Sequence, residues 1–180
     1  MEETKDHDVF KSLTAEIETM RQGTSKIYFV FDMGIPGVVF IKLVDWMRPF
    51  VDVKKVGLAI VEHVAETKEA ISRFACRFIP VDVLCKANIS DFLKFSEPTV
   101  QKVFHESGKE KIMWCMDFKS RCNDKAIRKD YFEALESKID RLKHPISYDD
   151  ADYEILIEVF RDMLVFAILP NYKKLKKYNL

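Results

Sequence analysis

The side chains of this chain best suited to hold a ligand are its cations, gathered in a few places. Arg73 and Arg77 lead into Phe78-Ile79-Pro80, and Lys86 follows Cys85. Lys119, Arg121 and Asn123 close an apolar run ahead of Arg128, while Lys173, Lys174, Lys176 and Lys177 crowd between Tyr172 and Tyr178 near Leu180. Over 180 residues, 29 Lys+Arg balance 29 Asp+Glu, so these clusters express distribution and not bulk charge. Cations contact backbone phosphates and aromatic faces stack on unpaired bases, a mixture suited to single-stranded RNA ends. For the tail the bland alternative is a disordered, solvated lysine run, against which Leu175 and Leu180 stand as apolar anchors.

Reaction chemistry is harder to find. No G-x-G-x-x-G or G-x-x-x-x-G-K-[ST] occurs among the 5 glycines, and neither G-x-S-x-G nor H-E-x-x-H is present. His7, His63, His105 and His144 are scattered and read as surface or helix-end residues without a partnered nucleophile. Asp149, Asp150 and Asp152 read as a solvated turn. The 4 cysteines show no C-x-x-C pair. Cys76, Cys85 and Cys115 fall in apolar, strand-like runs, where a free thiol behaves as a small hydrophobe. The expectation is a protein with no catalytic residue, no cofactor and no metal.

With 48% hydrophobic and 32% charged residues the composition is that of a folded domain or two small ones. No apolar stretch reaches the roughly 18 residues of a membrane helix, and Met1-Glu2-Glu3-Thr4-Lys5-Asp6 is unlike a secretory signal. A soluble intracellular protein, nuclear, nucleolar or cytoplasmic, is expected.

The cations need elements to position them. Val9, Leu13, Ile17 and Met20 predict a helix over residues 8–22. Strands are predicted at Ile27–Phe31 and Val38–Ile41 around a Gly34-Ile35-Pro36-Gly37 turn. Val53, Val56, Ile60 and Val64 mark a helix, and Ile71–Ile79 reads as a strand with Arg73 and Arg77 on one face. The alternative for those arginines is charge that protects a sheet edge. A short helix should follow Asn88, and a second should open at Ser96-Glu97-Pro98 and end near Gly108. Residues 111–119 alternate as a half-buried strand. Ile127, Tyr131, Leu135, Ile139 and Leu142 line a helix, and the apolar runs Ile155–Phe160 and Met163–Leu169 suit inner strands under helices. The class is α+β.

One junction combines several of these signals. Lys119 and Arg121 share side-chain parity, and Asn123-Asp124 should open the helix that carries Arg128 and Lys129. A strand running into a helix N-terminus presents free N–H groups and a positive dipole end to phosphate. The same Asn123 or Asp124 could simply cap that helix among solvated cations, and both readings stand.

These residues also carry a family resemblance. The chain resembles the THUMP-domain proteins. Ser72-Arg73-Phe74-Ala75-Cys76-Arg77-Phe78-Ile79-Pro80 is similar to the family's R-x-x-x-R-x-x-P strand, and Cys85-Lys86-Ala87 to its C-x-A segment. Phe118-Lys119-Ser120-Arg121-Cys122-Asn123 with Arg128 resembles K-x-R-x-N…R. Lys177-Tyr178-Asn179-Leu180 resembles the C-terminal K-Y-N-L, and Val38-Val39-Phe40-Ile41-Lys42 an N-terminal strand. The match runs from about residue 37 to the end. Ile146-Ser147-Tyr148-Asp149-Asp150-Ala151-Asp152 departs from the family's V-D-L-x-N-P-like stretch by its acidity.

The resemblance implies an N-terminal ferredoxin-like unit within residues 1–78 and a THUMP domain over 79–180, with helices on a mixed sheet. It implies binding of tRNA at the acceptor stem and 3′ CCA end. In its stand-alone form it implies an adaptor, not an enzyme, that presents tRNA to a separate cytidine N4-acetyltransferase. Arg73, Arg77, Lys86, Lys119, Arg121, Asn123, Arg128, Lys173, Lys174, Lys176 and Lys177 would then face the RNA. The rival expectation is a protein-interaction scaffold whose basic surface meets an acidic partner.

Overall fold

The computed structural model describes residues 27–31 and 34–180, with Lys11 and Ala15 as isolated helical positions. The helix predicted over 8–22 otherwise lies outside the described residues. The chain forms two units, one reaching Phe78 and including Asn179–Leu180, the other spanning Ile79–Tyr178.

In the first unit β1 (Tyr28–Phe31) pairs antiparallel with β2 (Phe40–Leu43), two residues later than predicted. Gly34 and Gly37, at φ of 63° and 70°, supply the left-handed positions of the intervening turn. Helix α1 (Val53–Thr67) is capped by Asp52, whose Oδ1 accepts from Lys54 N and Lys55 N at 3.0 and 3.2 Å. It buries Gly57, Val61 and Val64, whereas Val53 and Val56 of the predicted stripe are exposed. Two strands and one helix are fewer elements than a ferredoxin-like unit requires, so the described residues do not display that fold.

The strand predicted over Ile71–Ile79 does not form. Ser72 Oγ accepts from Phe74 N at 3.2 Å and Ala75 N at 2.9 Å, and this local turn outcompetes extended pairing. A single antiparallel bridge, Arg77 to Asn179, and the bond from Leu180 N to Cys76 O at 3.1 Å are what remain of sheet here. These contacts draw the last two residues into the first unit. Cys76, expected to be buried, is exposed on this irregular segment.

The second unit is a four-stranded mixed sheet in the order β3-β6-β5-β4 with helices on one face. Its strands are β3 (Val83–Lys86), β4 (Trp114–Arg121), β5 (Tyr153–Phe160) and β6 (Met163–Pro170). β4 runs parallel to β5, and β5 and β6 form a hairpin across Arg161-Asp162. The α+β class with helices on a mixed sheet is as expected.

Helix α2 (Ile89–Val100) starts where Asn88 Oδ1 accepts from Asp91 N at 2.8 Å. It runs through Pro98 without restarting: Ser96 lies buried on its core face beside Phe92 and Val100 and caps nothing. Pro98 is exposed and has no N–H to return to Lys94, and the chain widens past it into a π-helical turn, Gln101–His105. Helix α3 (Arg128–Glu136) is short, and Leu142, placed on its apolar stripe by spacing, is 98% exposed beyond its end. Phe92 sits between Tyr131 and Phe166 with ring centroids 5.3 and 5.7 Å away, joining both helices to the sheet.

His144 is not a surface residue. It is fully buried, its Nδ1 accepts from Ile112 N at 3.1 Å, and its carbonyl accepts from Trp114 Nε1 at 2.9 Å. Burial, assisted by the Lys143 charge, lowers its pKa and keeps the ring neutral, so it acts as a core strut.

Candidate nucleic-acid interface

Sheet register assembles the first group of cations. Arg121 pairs with Phe160, Phe160 with Met163, and Met163 with Lys86, so one row crosses all four strands at one end of the sheet. Three strand intervals of about 4.8 Å put Lys86 and Arg121 roughly 14 Å apart. Between them Arg161 opens the β5–β6 turn at φ 54°, a left-handed position that glycine or asparagine fills more readily. Residue type alone does not mark Arg161, although a two-residue gap between apolar runs signals such a turn.

Lys119 shares the face of Arg121 two residues inward, as its parity predicts. Its Nζ lies 3.4 Å from Asp117 Oδ2 and 3.7 Å from Glu158 Oε1, so two carboxylates already offset its charge. Arg121 lies with its Cζ 5.7 Å from the Phe160 ring centroid.

Asn123 supports this end of the sheet. Its Oδ1 accepts from Lys125 N at 2.8 Å and Ala126 N at 2.9 Å, and its Nδ2 donates to the Arg161 carbonyl. It therefore closes a turn ahead of α3 and ties that turn to the hairpin. The helix itself begins at Arg128, after Ile127, and not at Asn123-Asp124, because the Asn123 side chain commits the intervening amides to its own turn.

Arg128 joins a second group. Its Nη2 donates to Tyr148 Oη at 3.0 Å, and Lys173 Nζ donates to the Tyr148 carbonyl. The acidic loop is thus gripped by two of the predicted cations. Lys174, Lys176 and Lys177 are exposed beyond Pro170, at the other end of β6 from Met163 and about 23 Å along the strand.

The tail is a built turn. Lys177 N donates to Tyr172 O at 2.7 Å and Tyr178 N to Leu175 O at 2.9 Å. Tyr172 and Tyr178 are buried against each other at 5.3 Å, and Tyr178 Oη donates to Pro170 O at 2.8 Å. Their rings pack in the fold and offer no face to a base, contrary to the sequence expectation. Arg73 is exposed and Arg77 half-buried, both in the first unit.

The face of the sheet that carries Lys119 also holds a buried acid. Glu154 pairs with Cys115 across β4 and β5. Burial raises the pKa of Glu154, and burial with the neighbouring carboxylate pushes the Cys115 thiol up to about 12. Among the described residues no three His, Cys, Asp or Glu side chains gather as metal ligands. No described helix is long and apolar enough to cross a membrane.

No protein-family model matches the chain. THUMP domain-containing protein 1 of Bos taurus is 22% identical over 183 residues, covering 99% of this chain and 49% of that protein. The THUMP domain-containing protein 1 homolog of Drosophila melanogaster is 27% identical over 126 residues, covering 69% of this chain and 38% of that protein. The chain thus spans half or less of the length of these relatives. The crystal structure of PH1313 from Pyrococcus horikoshii Ot3 shares the fold, with a TM-score of 0.50 over 78% of this chain and 42% of that one at 12% identity. With one curated relative after another bearing the same name, the resemblance read from the motifs is borne out, and along most of its length this chain is similar to the THUMP domain-containing proteins.

Proposed function

We propose that the chain binds tRNA near its acceptor stem and 3′ CCA end and presents it to a separate cytidine N4-acetyltransferase, performing no chemistry itself. In this reading residues 79–180 are the THUMP domain and residues 1–78 an accessory unit. The observation that carries it is the register row that places Lys86 and Arg121 at one end of the sheet with Arg161 between them. An arginine held at φ 54° costs about 1–2 kcal/mol relative to glycine. Arg128 and the tail lysines extend the electrostatic track of this unit.

The test is binding of the purified chain to total tRNA, intact and with the 3′ CCA removed, at two salt concentrations. Tight binding that falls without CCA supports the reading, and equal binding to both reduces it to a generic basic surface. A scaffold for a protein partner is the second reading, favoured by Trp46 and Phe50, which expose large apolar side chains on the first unit. It predicts no direct affinity for tRNA and a partner complex that survives nuclease.

A further inference from the structure

Of the 6 tyrosines in the chain, Tyr148 is the one that is exposed, at 47%. It lies in the acidic loop, where family resemblance gives least reason to expect RNA. We propose that Tyr148 is a stacking platform for one nucleobase of single-stranded RNA, with Arg128 and Lys173 holding the phosphates on either side. This rests on the RNA-binding reading and extends it to a residue outside the predicted surface.

The geometry fixes the ring before any ligand arrives. Arg128 Nη2 holds the phenol oxygen at 3.0 Å, and Lys173 Nζ holds the carbonyl of the same residue. Ser147 Oγ accepts from Asp150 N at 3.2 Å, and Asp152 Oδ2 accepts from Met113 N at 2.8 Å, so the loop is tied down on both sides. An aromatic held this way loses little freedom on stacking. Guanidinium and ammonium carry five and three N–H donors, so their bonds to Tyr148 leave donors for phosphate. Asp149 and Asp150, exposed and next to Tyr148 in the chain, repel phosphate from the loop side. The backbone of a bound strand therefore passes on the side of Arg128 and Lys173, and the base meets the ring. Stacking also supplies the aromatic contact that the buried Tyr172 and Tyr178 do not.

The test measures affinity of the full chain for tRNA and for a short single-stranded RNA ending in CCA, together with oligomers carrying one abasic nucleotide at successive positions. Tyr148→Ala should weaken binding by about 5- to 150-fold, and Tyr148→Phe by far less. At one position the abasic penalty should vanish in Tyr148→Ala, because ring and base are then already uncoupled. Thermal melts check that each variant folds; if Tyr148→Ala does not, Tyr148→Leu replaces it. Wild-type binding that Tyr148→Ala leaves unchanged overturns this inference while the RNA reading stands, as does binding of tRNA without any of the oligomer. Absence of wild-type binding to either RNA overturns both.

Discussion

Replacing Asn123 with alanine removes three hydrogen bonds at once, two accepted from Lys125 N and Ala126 N and one donated to the Arg161 carbonyl. At a net 0.5–1.5 kcal/mol each the full set sums to about 1.5–4.5 kcal/mol. Water can replace part of it at these half-exposed positions, so the expected loss is about 2 kcal/mol. Asn123→Asp keeps the one oxygen that accepts both amides but turns a carboxylate oxygen toward the Arg161 carbonyl in place of the donor, and should cost at least about 1 kcal/mol. Urea unfolding followed by tryptophan emission reads this well, because Trp114 is buried in the second unit whereas Trp46 is exposed in the first. With a slope of about 2 kcal/mol/M, Asn123→Ala should lower the midpoint by roughly 1 M. Affinity for RNA should then fall through loosening of the hairpin and of the turn ahead of α3. An alanine variant that unfolds at the wild-type urea concentration but binds RNA poorly would refute this reasoning and make Asn123 a direct contact.

Lys119 and Arg121 should separate in salt titrations of tRNA binding: Arg121→Ala lowers the log–log slope by about one as a lost phosphate contact, whereas Lys119→Ala weakens binding with the slope near wild type, because it uncovers the Asp117 and Glu158 carboxylates. The opposite order would sink the assignment of that face. Glu154 has its pKa raised chiefly by burial, so the folded state holds its proton to higher pH than the unfolded chain. The resulting penalty is absent below the ordinary carboxylate range and complete above the raised value. Glu154→Gln should therefore gain stability over wild type as pH rises, and a pH-independent difference in urea midpoint would contradict it. Cys76 and Cys122 are exposed while Cys85 and Cys115 are buried, with the Cys115 thiol pushed up to about 12. A disulfide reagent at pH 8 should consume two thiols in the native protein and the rest only in denaturant; a third native equivalent would argue against the described core.

Elements written in long periodic or continuous apolar runs are legible in the sequence itself. β5 and β6 are such runs, and Asn88 signals the start of α2 through the chemistry of its own side chain. A pattern misleads where a short-range contact outcompetes it. The Ser72 turn replaces a predicted strand, and the buried Ser96 shows that Pro98 interrupts no helix. His144 carries no periodic signal, because a single polar core residue is specified by its partners Ile112 and Trp114, which lie 32 and 30 residues away. The cations are visible as residues, but their grouping is not. Lys86 and Arg121 come to one row only through the pairing of four strands, and the burial of Tyr172 and Tyr178 depends on how the tail turns back on itself.

A chain with 29 cations and 29 anions can meet a polyanion only if its charges are sorted. The structure sorts them by element. On and around the helices Lys129 pairs with Glu133, Lys138 with Glu97 and Arg141 with Glu136, local pairs that leave little field beyond themselves. Lys119, inside the sheet face, is likewise occupied. At the sheet end the pattern changes: among the described residues no carboxylate lies within 4.0 Å of the cationic groups of Lys86 or Arg121. Strand ends are where side chains stop meeting cross-strand partners, so a cation in the last register row keeps its field for whatever approaches from outside the sheet. Zero net charge and a local cationic field at the sheet end are compatible for that reason, and the position of a cation in the sheet register says more about its availability than the local density of lysine and arginine in the sequence.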